Sequence, residues 1–329
     1  MRSCPRVLAK LRHRLALREL VAPRRPDPAY FSRFGGLWTD RADAEEQIAA
    51  RLQAGRIDEA EAERLRHWVV HGHVVLERGV EPAVCDRLRT DLERFFAEGD
   101  DRLLMYSAAP GGPHRLEGGL DTEFARVVDA YVFYESARAA LFSAPIVRFL
   151  RVVFDDPPLL FQSLIFERGS QQALHQDTEF VVTTSPLEFA ATWIALEDVR
   201  PGSGELVFLD KSHRIPEFLF GERYKHWDAK RDGREQQERS LRHIEEHAAR
   251  MGLEERRFVA RKGDVLIWNA DLAHGGSAVA DPAATRKSIV GHFSPDRVDP
   301  FFFRVQPRRR AKASYGDGRY ASQYHRVIA

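Results

Sequence analysis

The chain has 329 residues, 43% of them hydrophobic and 30% charged, the proportions of an ordinary soluble globular protein. A formal net charge of +1 argues against a general nucleic-acid binder, which would show a large basic excess. Two cysteines, Cys4 and Cys85, with no secretory leader, fit a reducing cytoplasm and exclude a disulfide framework; no apolar run approaches the ~18 residues of a membrane span.

Residues 1–26 carry eight Lys or Arg against one acid, Glu19. Leu8, Leu11 and Leu15 have helical spacing, so this stretch reads either as a basic amphipathic helix for peripheral contact with an anionic membrane, or as a packed helix or basic tail. Helices are expected over Ala44–Leu52, ended by Gly55, and from Asp58, where Glu61 completes a capping box. A short strand follows at Gly72–Leu76, and Pro82 opens another helix with Val84, Leu88, Leu92, Phe95 and Phe96 on one side. Residues 106–121 are rich in Gly and Pro and read as a loop holding His114; residues 131–150 read as helical with a break at Pro145. After Pro158 the pattern changes to short strands at Leu160–Glu167, Phe180–Thr184, Ala190–Leu196, Glu205–Leu209, Val265–Asn269 and Ser288–Phe293. Short strands punctuated by turn residues predict a sandwich or barrel. A charged stretch, Tyr224 to Arg257, interrupts them and reads as an inserted surface helix, a lid or a strut. Arg308–Arg310 begin what reads as a solvated tail. The expected organisation is a basic extension (1–30), one domain (31–305) and a tail (306–329). The domain divides into a helical scaffold (40–155) and a β core (158–300) holding the charged insert (220–257).

The chemistry centres on Leu174-His175-Gln176-Asp177. In an extended chain His175 and Asp177 point to one side, lacking one histidine of the 2-His-1-carboxylate face that holds non-haem Fe(II). His274 supplies it, leaving the end of the Val265–Trp268 strand beside glycines. Arg286, twelve residues later, opens another strand. A planar bidentate guanidinium suits the far carboxylate of 2-oxoglutarate, whose 2-oxo-acid end chelates such iron sites.

The stretches LIFERGSQQALHQDTEF, TWIALEDVRPGSGELVFLDKSHR, GDVLIWNADLAHGGS and TRKSIVGHFS together resemble the phytanoyl-CoA dioxygenase family of Fe(II)/2-oxoglutarate oxygenases, over about residues 60–300. The resemblance implies a double-stranded β-helix (jelly roll, cupin-like), mainly β with helical support. It implies His175, Asp177 and His274 as iron ligands, Arg286 as the 2-oxoglutarate anchor, and Trp193 near the co-substrate. Gln162 and Gln172 serve either as ligands of co-substrate or substrate, or as core amides. For His213 the resemblance implies a structural or substrate-edge role. Gly276 departs from the small polar residue common in the family two positions after the distal histidine. The implied reaction consumes O2 and 2-oxoglutarate, releases succinate and CO2, and oxidises a C–H bond of a small molecule; Asp177 favours hydroxylation, desaturation or cyclisation over halogenation. The rivals are a non-catalytic jelly-roll metal-binding or interaction protein, and a cupin-like isomerase or hydrolase. Substrate and oligomeric state are not specified by the sequence.

Overall fold

The first helices begin and end where their caps require. The computed structural model describes residues 17, 20–21, 25–107, 112–117 and 125–328. The basic amphipathic stretch of residues 1–26 lies almost wholly outside them; of its described residues, Leu20 is buried and Val21 bridges Tyr224. Helix α1 (Ala44–Gln53) is followed by Gly55 at φ +65°. Helix α2 (Glu59–His71) has the expected capping box: the Glu61 N–H donates to Asp58 Oδ1 at 2.7 Å, and the Asp58 N–H donates to Glu61 Oε2 at 3.0 Å. Strand β1 (His73–Leu76) and helix α3 (Pro82–Glu98, Pro in its first turn) follow as expected. Strands β2 (Gly99–Tyr106) and β3 (His114–Glu117) pair with each other, with His114 opposite Met105. His114 is therefore a strand residue and not part of a loop; pairing with β2 gives its backbone the partners a loop would leave to water. Strand β4 (Arg126–Val128) and helices α4 (Glu135–Leu141) and α5 (Ala144–Phe154) complete the first half.

The second half builds the sheets: β5 (Pro158–Phe166), β6 (Ala190–Ala195), β7 (Leu206–Leu209), then helix α6 (Ala229–Met251), β8 (Glu255–Phe258), β9 (Val265–Asn269), β10 (His274–Gly276) and β11 (Ser288–Pro295). A short helix α7 (Phe302–Val305) and strands β12 (Ala313–Tyr315) and β13 (Gly318–Tyr320) end the described chain. The large sheet runs β1-β9-β6-β11-β5-β4-β2-β3 with all neighbours antiparallel, and the small sheet runs β10-β7-β8. The two form a jelly roll backed by helices.

The large sheet is buried on both faces, and side-chain alternation sorts its residues. Val265 and Ile267 of β9, Ala190 and Ile194 of β6, and Ile289 of β11 enter the core shared with the helices. Their neighbours Leu266, Trp268, Ala191, Trp193 and Val290 enter the space between the sheets. Between β5 and β11 the register shifts: Gln162 faces His292, but Leu160 faces Phe293, leaving Phe161 as the extra residue of a bulge.

Three further expectations change. Phe180–Thr184 is not a strand: the Val181 N–H donates to the Asp177 carbonyl, a helical-type turn that leaves no ladder, and only Thr183 bridges Pro300. The charged insert does form a helix, α6, but Ile244 and Ala248 pack with Leu209 and Ala273 against the small sheet, so one face is anchored and not solvated. The C-terminal segment is not a solvated tail. Arg308 and Arg310 are exposed, yet β13 adds to β5 in parallel, Ala321 is fully buried, and Tyr131 Oη donates to its carbonyl at 2.5 Å. The aromatic and small residues past the arginines supply an apolar face that the charge run conceals. Among the described residues no helix is long and apolar enough to cross a membrane.

Candidate metal centre

His175 and His274 face each other as a hydrogen-bonded bridge pair, each N–H donating to the other's carbonyl at 3.0 Å. Residues directly opposite in an antiparallel pair project to the same side. The two rings stand 4.4 Å apart, centre to centre. Each ring is oriented by its own backbone: His175 Nδ1 lies 2.9 Å from the Ala173 carbonyl, and His274 Nδ1 lies 2.9 Å from that of Leu272. An Nδ1–H bound to a carbonyl leaves the Nε2 lone pair free. Both Nε2 atoms point at one oxygen, Asp177 Oδ1, at 3.9 and 3.6 Å. The three ligand atoms all lie within 4.8 Å of one another, so one ion can touch all three. Two imidazoles and a carboxylate on one face, with the other positions open, is the donor set of non-haem Fe(II).

The carboxylate is fixed from behind. Trp268 Nε1 donates to Asp177 Oδ2 at 2.9 Å, and His292 Nε2 stands 3.6 Å from the same oxygen. Burial alone would push the Asp177 carboxyl up, but the surrounding imidazoles, His274 first and then His292 and His175, hold it well below the usual carboxylate range. His175 is pushed down to about 4, mainly by burial and then by His274, so its ring is a neutral ligand at pH 7.

A polar network behind the ligands joins three segments. Asp271 Oδ1 accepts from Thr178 Oγ1 at 2.6 Å, its Oδ2 accepts from Lys225 Nζ at 2.8 Å, and its carbonyl accepts from Gln176 Nε2 at 2.7 Å. Gln176 thus faces away from the metal-binding side, as expected, and is satisfied there. Lys225 belongs to the charged insert, and Ser240 of α6 donates to Glu179 at 2.7 Å. The insert holds the turn that carries Asp177. Removing one partner of a buried pair such as Lys225–Asp271 costs about 3–5 kcal/mol.

The cavity above the ligands is lined by Gln172, Trp193, Arg286 and His292, with Leu164, Phe166 and Val290 as its apolar walls. Arg286 is fully buried; its Nε has no hydrogen-bond partner, and among the described residues no carboxylate lies within ion-pair distance. Burial lowers it to about 10, with Glu205 opposing and Arg126 adding, so it stays a cation at neutral pH. A buried cation without a counter-ion is costly unless a ligand supplies one. Trp193, its Nε1 also unsatisfied, lies under the guanidinium at 5.4 Å. Gln172 Nε2 approaches His175 Nε2 at 3.3 Å. Gln162 is not in this cavity. It lines an adjoining cleft of about 290 Å³ with Phe161, Phe180, Phe301, Gln323 and Tyr324. Phe180 links the two spaces, its ring edge-on to His175 at 5.5 Å. His213 lies outside the cavity, with Nε2 3.2 Å from the Val69 carbonyl. The glycine at 276 has a packing reason: a Cβ there would meet the Gln171 nitrogen at 2.8 Å, with Ser170 Oγ at 3.1 Å. Ser170 lines the cavity instead.

Three residues escaped the sequence reading. Trp268 and His292 share the inward parity of Leu266 and Val290, and that alternation was the available signal. Arg126 sits opposite Phe166, mostly buried by its neighbours, with no carboxylate partner among the described residues. Nothing in its local sequence marks it.

Similar architectures occur in solved structures. The non-heme alpha ketoglutarate dependent epimerase SnoN from nogalamycin biosynthesis aligns at 16% identity and TM-score 0.55, covering 80% of this chain and 98% of that one. The carbocyclase SnoK of the same biosynthesis aligns at 16% and 0.52, covering 74% and 85%. EctD from S. alaskensis with bound Fe aligns at 17% and 0.51, covering 84% and 83%. At these identities the likeness speaks for the fold. No curated protein matches the chain by sequence. The profile described as phytanoyl-CoA dioxygenase (PhyH) matches residues 68–288, a span that includes His175, Asp177, Trp193, His274 and Arg286. That span is well over half of the molecule, and the chain belongs to the phytanoyl-CoA dioxygenase (PhyH) family.

Proposed function

We propose that the protein is an Fe(II)/2-oxoglutarate-dependent dioxygenase that hydroxylates a C–H bond of a small-molecule or lipid-like substrate, releasing succinate and CO2. One observation carries the reading: a buried 2-His-1-carboxylate face shares its cavity with Arg286, a buried cation with no carboxylate within ion-pair distance among the described residues. Iron with 2-oxoglutarate and O2 would supply the oxidising power. The chain's own residues do the rest. His175, Asp177 and His274 hold the metal, oriented by the Ala173 and Leu272 carbonyls and by Trp268. Arg286 takes the far carboxylate of 2-oxoglutarate over the face of Trp193. Leu164, Phe166 and Val290 keep water from the reacting atoms. Asp177 fills the coordination position a halide would need, which favours hydroxylation over halogenation.

The substrate is read from the adjoining cleft. Phe161, Phe180, Phe301 and Phe302 offer an apolar bed, and Gln162, Gln323 and Tyr324 offer polar contacts. A reducing, cytoplasmic setting fits Cys85, a buried free thiol that burial pushes up to about 11. Peripheral membrane contact through residues 1–26 is tested by co-sedimentation with anionic vesicles, with and without that segment. The function is tested by succinate release from 2-oxoglutarate across a metabolite panel, with His175→Ala as the blank. The reading expects at least one compound to raise succinate above the blank. If none does, and the protein also fails to bind 2-oxoglutarate with Fe(II) under anaerobic conditions, the reading is wrong.

A further inference from the structure

A second group of imidazoles lies outside the cavity. His67 and His71 stand one turn apart at the C-terminal end of α2, and His73 begins β1. The His67 and His71 rings stack at 4.2 Å with planes 16° apart, and His67 meets His73 edge-on at 5.1 Å. Asp210, in the turn after β7, directs its carboxylate into the group. His71 Nδ1 lies 2.9 and 3.0 Å from its two oxygens, and His73 Nδ1 lies 3.8 Å from Oδ1. Among the described residues no Lys or Arg is within ion-pair distance of Asp210. The group is therefore one carboxylate facing three imidazoles, at a helix end whose dipole attracts cations. Only the His71–Asp210 separation matches the ~3.0–3.4 Å edge of a coordination shell built from ~2.0–2.2 Å bonds; His73 Nδ1 stands farther off, at 3.8 Å from Asp210, so the other rings have to turn to complete a shell. His73 is pushed down to about 4 and His67 is also lowered, burial being the main cause in both, so these rings present lone pairs at neutral pH.

We propose that His67, His71, His73 and Asp210 form a second, non-catalytic site for a borderline divalent transition ion such as Zn²⁺. His71 and Asp210, already in hydrogen-bond contact, are its fixed ligands. His67 is exposed and free to turn toward it. His73, whose Nδ1 also reaches the His71 carbonyl at 3.3 Å, has to reorient to complete the shell. The position gives such an ion a structural consequence. His73 rests on Phe208 at 4.5 Å, and Phe208 is paired directly with His274. An ion held here ties α2, β1 and the turn after β7 together, bracing the edge where the two sheets meet.

Zn²⁺ titration of the full-length protein, with metal analysis after desalting, tests this. The wild type is expected to retain two equivalents. His274→Ala removes one, and His67→Ala/Asp210→Asn removes the other. Zn²⁺ should also raise the Tm of His274→Ala protein, and that shift should vanish when the second pair of changes is added. A single equivalent in the wild type overturns the proposal, as does a second equivalent indifferent to the His67→Ala/Asp210→Asn change. His67→Ala alone, on the exposed helix face, keeps the test valid if the double variant does not fold. It must weaken the second equivalent while sparing the first, and an unchanged second equivalent also overturns the proposal.

Discussion

Two histidine–aspartate groups stand on either side of Phe208, two imidazoles in the first and three in the second, and they differ most in how their rings are held. In the first, the Nδ1 atoms of His175 and His274 are taken up by their own backbone carbonyls, and Trp268 holds the back of Asp177. The free donor atoms all face one buried point with open space beyond it. In the second, His71 faces Asp210 directly and one ring is exposed; among the described residues no Lys or Arg stands within ion-pair distance of Asp210. Imidazoles beside a carboxylate supply metal donors in both groups. Reactivity needs more: ligands locked by their neighbours, vacant coordination positions, and a second charged group to place a co-substrate.

The largest effect should come from breaking the first group. His274→Ala is expected to lower succinate formation by well over ~10²-fold, since loss of even an outer-shell partner commonly costs 10–100-fold. Its occupancy by Fe(II), read by metal analysis, should fall in parallel. Next is the anchor that the second group lacks. Arg286→Ala is expected to weaken 2-oxoglutarate binding by about 2–5 kcal/mol, or roughly 30- to 4,000-fold, with metal affinity kept. Unchanged 2-oxoglutarate affinity would contradict its assignment. A subtler change tests the locking itself. Trp268→Phe removes one hydrogen bond to Asp177 and should cost about 10–100-fold in metal affinity at the triad, leaving Zn²⁺ uptake by the His71 group untouched.

The smallest effect concerns a carboxylate with no such company. Asp129 is fully buried, accepting from the Ser163 N–H at 2.7 Å and from Ser322 Oγ at 2.6 Å, and burial pushes it up to about 7. Its folded pKa exceeds its unfolded value, so it favours folding most at low pH. That contribution fades as pH rises from about 4 through 7, by at most about 1.4 kcal/mol per pH unit. Asp129→Asn is expected to flatten the decline in denaturation curves between those values; a slope equal to that of the wild type would refute Asp129 as its source.

The candidate site residues were legible because their spacing and strand setting are local. His175, Asp177, His274 and Arg286 each fall at a strand end or turn, and the helix caps at Asp58 and Pro82 were equally visible. What stayed hidden depends on distant pairing. Trp268 and His292 look like ordinary strand residues until the sheet order puts them behind Asp177. Lys225 reads as one more charge in a charged stretch, and only the folded chain sets it against Asp271. The C-terminal segment misled for a similar reason: Arg308 and Arg310 dominate its composition, whereas Ala321 and Ser322 carry its packing.

The most direct test of the metal centre is anaerobic titration of Fe(II)-loaded protein with 2-oxoglutarate, followed by visible absorption. A weak charge-transfer band that saturates in the wild type and is absent in His274→Ala is the predicted result. A wild type that shows no band while retaining Fe(II), or a band that survives in His274→Ala, would contradict it.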